Sequence, residues 1–275
     1  MSHNFAARTA GAARLRALAA LPVVAALSLT AACDVAFGAR EEATATWTKS
    51  YPLSAGGLVD LSSTNGTIKV IAGSKPTVEI RAVKTAKAAT KDAAEELLKS
   101  LELREDVTAD KVKIRIDRPH SNGPSLHGWG TSTVVEYFVE VPANTKVVLA
   151  TVNGKIEVTD VRGAAKLETV NGTISARGLS GDVSANTVNG RVDIAFAAVT
   201  SKVEVGTTNG GVTVRLPADT KADLRGQTVN GGINVEDLKV EEVERSRRSL
   251  EAKMNGGGVR VEAETTNGGI TFTRG

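Results

Sequence analysis

The chain has 275 residues and a mass of 28.5 kDa, which allows one large domain or two small ones. Hydrophobic residues make up 41% and charged residues 24%, so wholesale disorder is excluded. Aromatics are only 3%, so small and β-branched side chains must fill the interior. The net charge of +3 depends on Arg8, Arg14 and Arg16, which lie in a segment without acidic residues. Removing these three from the 34 Lys+Arg leaves 31, equal to the 31 Asp+Glu, and a neutral mature chain disfavours nucleic-acid binding.

Residues 1–32 have the order of a secretory signal peptide: basic residues, an apolar run over 17–29, then small residues. That run is shorter than the ~20 residues a membrane span needs. The sequence Leu29-Thr-Ala-Ala-Cys33 resembles a bacterial lipobox. This resemblance implies cleavage before Cys33, lipid on that cysteine, a tether over 33–44, and an exported, membrane-anchored envelope lipoprotein on the periplasmic or surface face. Ordinary signal-peptidase cleavage near 36–39, with Cys33 discarded, is the alternative.

A short motif, Thr-x-Asn-Gly, recurs along the mature chain. Each copy is followed by alternating apolar and polar residues, as in Ile156/Val158 and Ile174/Ala176, which is typical of strands with one buried face. From Asn153 onward the regular spacings are 18, 18, 20 and 21 residues. Copies or partial copies carry Asn65, Asn153, Asn171, Asn189, Asn209, Asn230, Asn255 and Asn267.

Two architectures fit this pattern. Asn-Gly between alternating strands is a strong hairpin signal, because both residues tolerate positive φ, and it predicts a meander. A β-solenoid, in which each unit is one coil stacked on the last, explains better why the same residue returns at the same place. We therefore predict an all-β, right-handed β-solenoid (β-helix-like) with coils of ~18–21 residues over 141–275.

Stacking also predicts a structural role for the repeated asparagines. Identical side chains in adjacent coils lie ~4.8 Å apart. Asparagines so placed can form a hydrogen-bonded ladder, and the threonines beside them can do the same. The predicted ladder consists of Asn153, Asn171, Asn189, Asn209, Asn230 and Asn267.

These units resemble the bacterial DUF4097 family of adhesin-like β-strand repeat proteins. The stretches at 141–146 (VPANTK), 216–220 (LPADT) and 255–270 resemble the family too, so the likeness covers about residues 45–275. The resemblance implies an exported β-solenoid with an adhesin-like role, and it offers no catalytic residues.

Residues 45–140 are less regular and are predicted to form an irregular N-terminal β part with one short helix. Strands are expected at 77–83 and 111–116, and a helical stripe of Ala and Leu indicates a helix at about 90–101. Asp92 and Glu95 resemble a capping box, which would start the firm helix there. We expect the helix to cover an open end of the solenoid, where unpaired strand edges invite aggregation. Residues 236–253 carry mixed charge and are expected to be a solvated insertion loop or short helix.

The Gly/Pro/Ser-rich stretch 118–133 is predicted to be a loop. It holds His120, His127 and Trp129, which make it a candidate recognition loop for a protein or a glycan, with a plain mobile loop as the alternative. Two histidines fall short of the three or four ligands that zinc requires, so we expect no metal.

The sequence contains no recognisable catalytic motif, and we expect a non-enzymatic protein without a cofactor. Glu157 and Asp193 do not recur in every coil and alternate with Lys155 and Arg191, as cross-strand partners would. The favoured function is a lipid-anchored adhesin-like or protein-interaction module whose envelope or surface protein partner is unknown. The alternative is a carbohydrate-binding or carbohydrate-active β-helix protein, for which Trp47, Tyr51, Trp129 and Tyr137 would be the available rings. Tyr137 lies in an alternating stretch and is expected in the core.

Overall fold

The computed structural model describes residues 40–117 and 130–275. Within these ranges the chain folds into two large β-sheets and one helix, α1 (Lys91–Lys99), so the expected all-β class is confirmed. The strands in chain order are β1 (Glu41–Pro52), β2 (Leu58–Ser62), β3 (Ile68–Gly73), β4 (Thr77–Ala88), β5 (Glu102–Val107), β6 (Lys111–Asp117), β7 (Ser132–Pro142), β8 (Lys146–Asn153), β9 (Ile156–Thr159), β10 (Ala165–Asn171), β11 (Ile174–Leu179), β12 (Val183–Asn189), β13 (Val192–Phe196), β14 (Val203–Asn209), β15 (Val212–Leu216), β16 (Ala222–Asn230), β17 (Ile233–Glu236), β18 (Val240–Arg245), β19 (Ser249–Met254), β20 (Val259–Asn267) and β21 (Ile270–Arg274).

Both sheets have a parallel middle, with antiparallel strands at one margin of the ten-stranded sheet and at both margins of the eleven-stranded sheet. We call the ten-stranded sheet, in the order β1-β4-β7-β3-β9-β11-β13-β15-β21-β17, sheet A. We call the eleven-stranded sheet, in the order β18-β19-β16-β20-β14-β12-β10-β8-β2-β6-β5, sheet B.

Each Thr-x-Asn-Gly unit gives one strand to each sheet, and we call such a pair of strands a coil. In one coil, β10 ends at Asn171 in sheet B and β11 begins at Ile174 in sheet A. Neighbouring coils pair in parallel and in register, with Asn171 opposite both Asn153 and Asn189. A hairpin meander is therefore not formed, because its adjacent strands would pair antiparallel in one sheet.

Positive φ does not explain the asparagines of these turns, although Gly66, Gly210 and Gly268 do have positive φ. Among non-glycine residues of the described ranges, only Asp160, Asp237 and Asn255 have positive φ, and none of them belongs to the repeated row. The hairpin geometry therefore does not explain the repeated Asn-Gly step. The glycine is needed instead because adjacent coils approach closely, as described below.

The coils are not stacked in chain order at the C-terminal end. The last coil, β20/β21, lies between β14/β15 and β16/β17, although β16/β17 precedes it in sequence. In sheet A the same insertion places β21 between β15 and β17. The expectation that each unit stacks on the last is therefore wrong for the final two coils.

The N-terminal end repeats this insertion. The coil β2/β3 lies between β6/β7 and β8/β9, with β2 parallel to both β6 and β8 and β3 parallel to both β7 and β9. The parallel stack thus begins well before residue 141, and β7 itself crosses that position. Two similar segments, VPANTK at 141–146 and LPADTK at 216–221, carry the chain past the inserted coils.

Antiparallel strands extend both ends of the stack. At the N-terminal end, β4 and β1 continue sheet A and β5 continues sheet B. At the other end, β19 and β18 continue sheet B beside β16. The charged segment 236–253 therefore contains a strand pair rather than the expected loop or short helix.

The helix lies on the antiparallel margin of sheet A. Its N-cap is Thr90, whose Oγ1 accepts from the Ala93 backbone N–H at 3.3 Å, so the expected start at the Asp92/Glu95 pair is wrong. Ala94 is buried against Ala43 of β1 and Ala88 of β4. Only small side chains allow the helix to pack this closely on the two strands.

One continuous apolar core runs between the sheets. It consists mainly of Val, Ile, Leu and Ala, as the low aromatic content requires. Tyr137 and Phe272 are the largest fully buried side chains. Burying each Val, Leu or Ile contributes about 1.5–3 kcal/mol relative to exposure, so every added coil extends the same favourable interior.

Candidate interaction surface

Asparagine side chains form a continuous hydrogen-bonded row along one edge of the stack. After the first asparagine, each Nδ2 donates to the Oδ1 of the preceding coil in the stack at 2.8–2.9 Å. In stack order the row is Asn65, Asn153, Asn171, Asn189, Asn209, Asn267 and Asn230. The structure thus places all six predicted ladder residues together.

Asn65 is an additional member of the row. Its distance of 88 residues from Asn153 concealed the relationship, although its Asn-Gly step was visible in the sequence. Ser63, not Thr64, takes the place that threonine has in the other coils, because Ser62 pairs with Ala150 and Ser63 follows it. The hydroxyl of Ser63 is buried and donates to backbone carbonyls of Asn65 and Val135.

The repeated threonines are buried and do not bond to one another, contrary to the expectation of a threonine ladder. Each hydroxyl donates to the carbonyl of the glycine in the neighbouring coil, as Thr187 does to Gly172 at 3.1 Å and Thr207 to Gly190 at 3.0 Å. A buried hydroxyl needs such a partner, because leaving it unpaired costs about 1–3 kcal/mol. The threonine therefore fixes the distance between adjacent turns.

The glycine is required because the turns touch. A Cβ on Gly172 would lie 1.9 Å from the Gly154 carbonyl oxygen, and one on Gly190 would lie 1.8 Å from that of Gly172. These backbones also bond across coils, with the Gly172 N–H donating to the Asn189 carbonyl at 3.0 Å. The edge of the stack consequently consists of closely packed backbone and amide groups.

Between each threonine and asparagine stands one outward-facing residue. Valines hold this place in Val152, Val170, Val188 and Val229, which are 39–54% exposed, and Thr208 and Thr266 hold it between Val188 and Val229 in the stack. The row is apolar from Val152 to Val188 and again at Val229, and it is polar at Thr208 and Thr266.

Thr208 and Thr266 lie beside a shallow groove on the outer face of sheet B. The groove has a volume of about 670 Å³ and is centred on Gly206, where neighbouring coils carry Asn186 and Glu264. Gln227 and Arg248 line its far side. The missing side chain at Gly206 is what creates the depression.

Three of the polar side chains that line the groove have no bonded partner among the described residues. Elsewhere on sheet B, Lys166 pairs with Glu168 at 3.0 Å, and Arg225 pairs with Glu251 at 2.6 Å. Within the described ranges, the side chains of Gln227, Arg248 and Glu264 form no hydrogen bond or ion pair with other residues. The groove therefore presents an amide, a guanidinium and a carboxylate to solvent.

Glu157 and Asp193 are held in ion pairs on sheet A. Glu157 bonds to Lys155 and also faces Lys69, and the Lys155 ammonium lowers the pKa of that carboxyl. Asp193 pairs with Arg215 of the next coil. These partners are cross-strand or same-strand cations, as on an ordinary solvated sheet face.

The aromatic residues of the described ranges do not gather into a platform. Tyr137 is buried in the core, as expected. Tyr51 is buried and donates to Glu105, while the Lys49 ammonium lies 5.6 Å from the partly buried Trp47 ring. On the outer face of sheet A, the Arg81 guanidinium lies 4.4 Å from the Phe138 ring.

Several predicted residues lie outside the described residues: Cys33, His120, His127 and Trp129, together with the signal segment 1–32. Across 40–117 and 130–275, which contain neither histidine nor cysteine, the acidic residues form no group that could hold a metal ion. In the same ranges, α1 is too short to cross a bilayer.

Three solved structures show what this chain resembles. A "putative cell adhesion protein" from Clostridium sporogenes is 12% identical with a TM-score of 0.42, covering 84% of this chain and 100% of the other. A "putative adhesin" from Bacteroides fragilis is 10% identical with a TM-score of 0.41, covering 82% and 96%. A "putative lipid binding protein" from Parabacteroides distasonis is 9% identical with a TM-score of 0.26, covering 82% and 96%. These similarities are too distant to carry an argument about function.

A search of curated proteins gives no match to this chain. The model of one family, described as Toastrack DUF4097, matches residues 59–273 and thus nearly all of the two sheets. The match spans the parallel coils and both inserted coils, and it agrees with the resemblance that the repeated motif indicated. The chain therefore belongs to the Toastrack DUF4097 family.

Proposed function

We propose that this protein is a non-catalytic, lipid-anchored envelope or cell-surface protein that binds a partner protein through the outer face of sheet B. The observation that carries the proposal is the groove over Gly206, where the side chains of Gln227, Arg248 and Glu264 form no hydrogen bond or ion pair with other described residues. A regular stack of coils also suits this role, because each coil adds surface without a new fold.

The groove supports a polar, reversible interface. Glu264 and Arg248 offer opposite charges, and Gln227 and Asn186 offer amide groups that both donate and accept. Val188 and Val229 lie in the exposed row on the two sides of Thr208 and Thr266, and they add apolar contact. This mixture of polar groups and modest apolar area is typical of non-obligate interfaces.

Lipid anchoring at Cys33 and right-handed crossovers between coils belong to the same proposal. The lipobox-like sequence before Cys33 supports lipid attachment, and more than one acyl chain on the modified cysteine would hold the protein firmly at a membrane. Right-handed crossovers are supported by the rule that parallel strand connections have this hand in about 98% of cases.

The test is site-directed photo-crosslinking in native cells, followed by mass spectrometry. A photoreactive residue replaces Thr208 beside the groove, and a matched variant carries it at Arg177, an exposed position on the outer face of sheet A. We expect one reproducible protein partner from Thr208 and none from Arg177. Equal capture from both positions, or no capture from Thr208, would contradict the assignment of this face.

A separate variant, Cys33→Ser, tests the anchor. Loss of membrane association and of lipid on the mature N-terminus is expected. Unchanged membrane association would contradict lipid anchoring while leaving the groove proposal open to its own test.

The alternative is glycan binding by the same groove. Its specific support is the density of amide, carboxylate and hydroxyl groups, which can bond to sugar hydroxyls. Attachment of glycan instead of protein at Thr208 would favour this alternative.

A further inference from the structure

The asparagine row ends differently at its two ends. At one end both polar atoms of the Asn65 side-chain amide are bonded, since its Nδ2 donates to the Thr133 carbonyl at 3.1 Å and its Oδ1 accepts from Asn153. At the other end Asn230 donates to Asn267, but within the described ranges its own Oδ1 accepts no hydrogen bond. The strand β19 covers β16 only as far as Gln227, with one further bond from the Thr228 N–H to the Arg248 carbonyl.

The backbone N–H that follows Asn230 also lacks a partner in the described part of the chain. In every other turn of the row, the glycine N–H donates to an asparagine carbonyl of the next coil, as Gly154 does to Asn171 and Gly268 does to Asn230. Among the described strands, no coil follows β16/β17 in the stack. Within the described ranges the Gly231 N–H accordingly lacks the bond that its equivalents make.

This difference bears on a known reaction of the Asn-Gly step. The backbone nitrogen of glycine can lose its proton to a solvent base and attack the asparagine Cγ. The side-chain nitrogen then leaves as ammonia, a five-membered succinimide forms, and water opens it to aspartate or isoaspartate. A glycine N–H engaged in a hydrogen bond, beside an amide held on both sides, must open before it can react.

We propose that Asn230–Gly231 is the step of the asparagine row that deamidates in the folded protein, and that the interior Asn-Gly steps of the row are protected by the coil that follows each of them. Asn230 is exposed and has an amide held on one side only. Asn171 is the matched interior case, because both its Nδ2 and its Oδ1 are bonded and Gly172 donates to Asn189.

Conversion of Asn230 to aspartate or isoaspartate would weaken the attachment of β16/β17, the coil at the end of the stack. A carboxylate cannot donate to the Asn267 Oδ1 at 2.9 Å, so an attractive contact becomes a repulsion between two acceptors. Isoaspartate also lengthens the backbone between β16 and β17. Amide exchange in Ile233–Glu236 is expected to accelerate after the reaction.

The test follows deamidation of the full-length chain at mildly alkaline pH, using digestion at acidic pH and peptide mass spectrometry. The chain provides its own controls, because Asn153, Asn171, Asn189 and Asn230 all lie in the tetrapeptide Thr-Val-Asn-Gly. We expect Asn230 to react at least about tenfold faster than the other three, since they require opening of the stack first. In denaturant the four rates should become similar.

A variant separates structure from local sequence. Gly232→Arg makes residues 228–232 identical to residues 187–191, and a Cβ at Gly232 meets nothing within 4 Å. Fast reaction at Asn230 should persist in this variant. The proposal is overturned if Asn230 reacts no faster than Asn171 in the folded chain, if its advantage survives in denaturant, or if Gly232→Arg abolishes it.

Discussion

Asn230 donates from Nδ2 to the Oδ1 of Asn267 at 2.9 Å, although 37 residues separate the two in sequence. Asn267 in turn donates to Asn209 at 2.8 Å. The last coil of the chain is therefore inserted between two coils that are consecutive in sequence. Strand pairing repeats this order in both sheets.

The order of coils can be tested with disulfides. Thr208 lies opposite Thr266, because Thr207 pairs with Thr265 and Asn209 with Asn267, whereas Val229 lies one coil further away. In a Cys33→Ser background, Thr208→Cys with Thr266→Cys should form a disulfide on mild oxidation. Thr208→Cys with Val229→Cys should not, since the two Cα atoms are then about 9–10 Å apart and a disulfide needs less than about 7 Å. Mass spectrometry of the unreduced chains reads out both results, and the opposite outcome would mean that the coils follow chain order.

The interior of the asparagine row should contribute more to stability than its end. Asn189→Leu removes a donor to Asn171 and an acceptor for Asn209, whereas Asn230→Leu removes only the donor to Asn267. We expect Asn189→Leu to lower the free energy of unfolding by about 1–2 kcal/mol and Asn230→Leu by about half as much. Denaturant unfolding followed by circular dichroism measures both. An unchanged free energy of unfolding in Asn189→Leu would show that the asparagine row does not contribute to stability.

The turn glycines should tolerate substitution according to the space between coils. A Cβ on Gly190 would lie 1.8 Å from the Gly172 carbonyl oxygen, while a Cβ on Gly232 meets nothing within 4 Å. Gly190→Ala should therefore cost about 3 kcal/mol or more, because two backbones must separate, and Gly232→Ala should be close to neutral. The midpoint of thermal unfolding distinguishes the two variants. Similar midpoints would contradict the close approach of the turns.

Alkaline pH should destabilise the protein through its two tyrosines. Burial, followed by the hydrogen bond to Glu105, raises the pKa of Tyr51 above its usual value of 10.0, and burial alone raises that of Tyr137. A raised pKa in the folded state stabilises below the unfolded pKa, and this contribution is lost as the pH rises above about 10. The free energy of unfolding should thus fall more steeply above that pH in the natural chain than in Tyr51→Phe with Tyr137→Phe. Parallel pH profiles for the two chains would contradict the prediction.

Tyr137→Phe by itself should not weaken the protein at neutral pH. The Tyr137 hydroxyl is buried and forms no hydrogen bond with other residues in the described part of the chain. Removing a buried unpaired hydroxyl relieves a desolvation cost of about 1–3 kcal/mol, set against the small gap that it leaves. An equal or higher midpoint in urea is expected. A clear loss of stability would indicate a bonding partner for this hydroxyl.

Much of the fold follows from local patterns in the sequence. Alternation such as Ile156/Val158 after each Asn-Gly step indicated strands with one buried face, and the recurrence of asparagine placed the six predicted residues in one row. These inferences depend on short-range periodicity, which the side-chain directions of a strand dictate. The helix limits at 91–99 were predicted closely for the same reason, although its cap at Thr90 was missed.

The candidate interaction surface could be predicted less well from the sequence. The groove arises because Gly206 stands between Asn186 and Glu264, and the chain places Glu264 there only through the inserted coil. A glycine in an alternating strand gives no hint of which side chains will flank it. Asn65 was hidden in the same way, since its partner Asn153 lies 88 residues away.

The sequence by itself determined what each coil is: two short strands, a buried threonine, an exposed asparagine and a glycine without a side chain. Only the tertiary structure decided the order of the coils. Because the repeated units present nearly the same residues to their neighbours, local sequence does not distinguish one stacking order from another. The choice is made by long-range contacts, where the segments at 141–146 and 216–221 carry the chain past one coil and the antiparallel strands cover the ends of the stack.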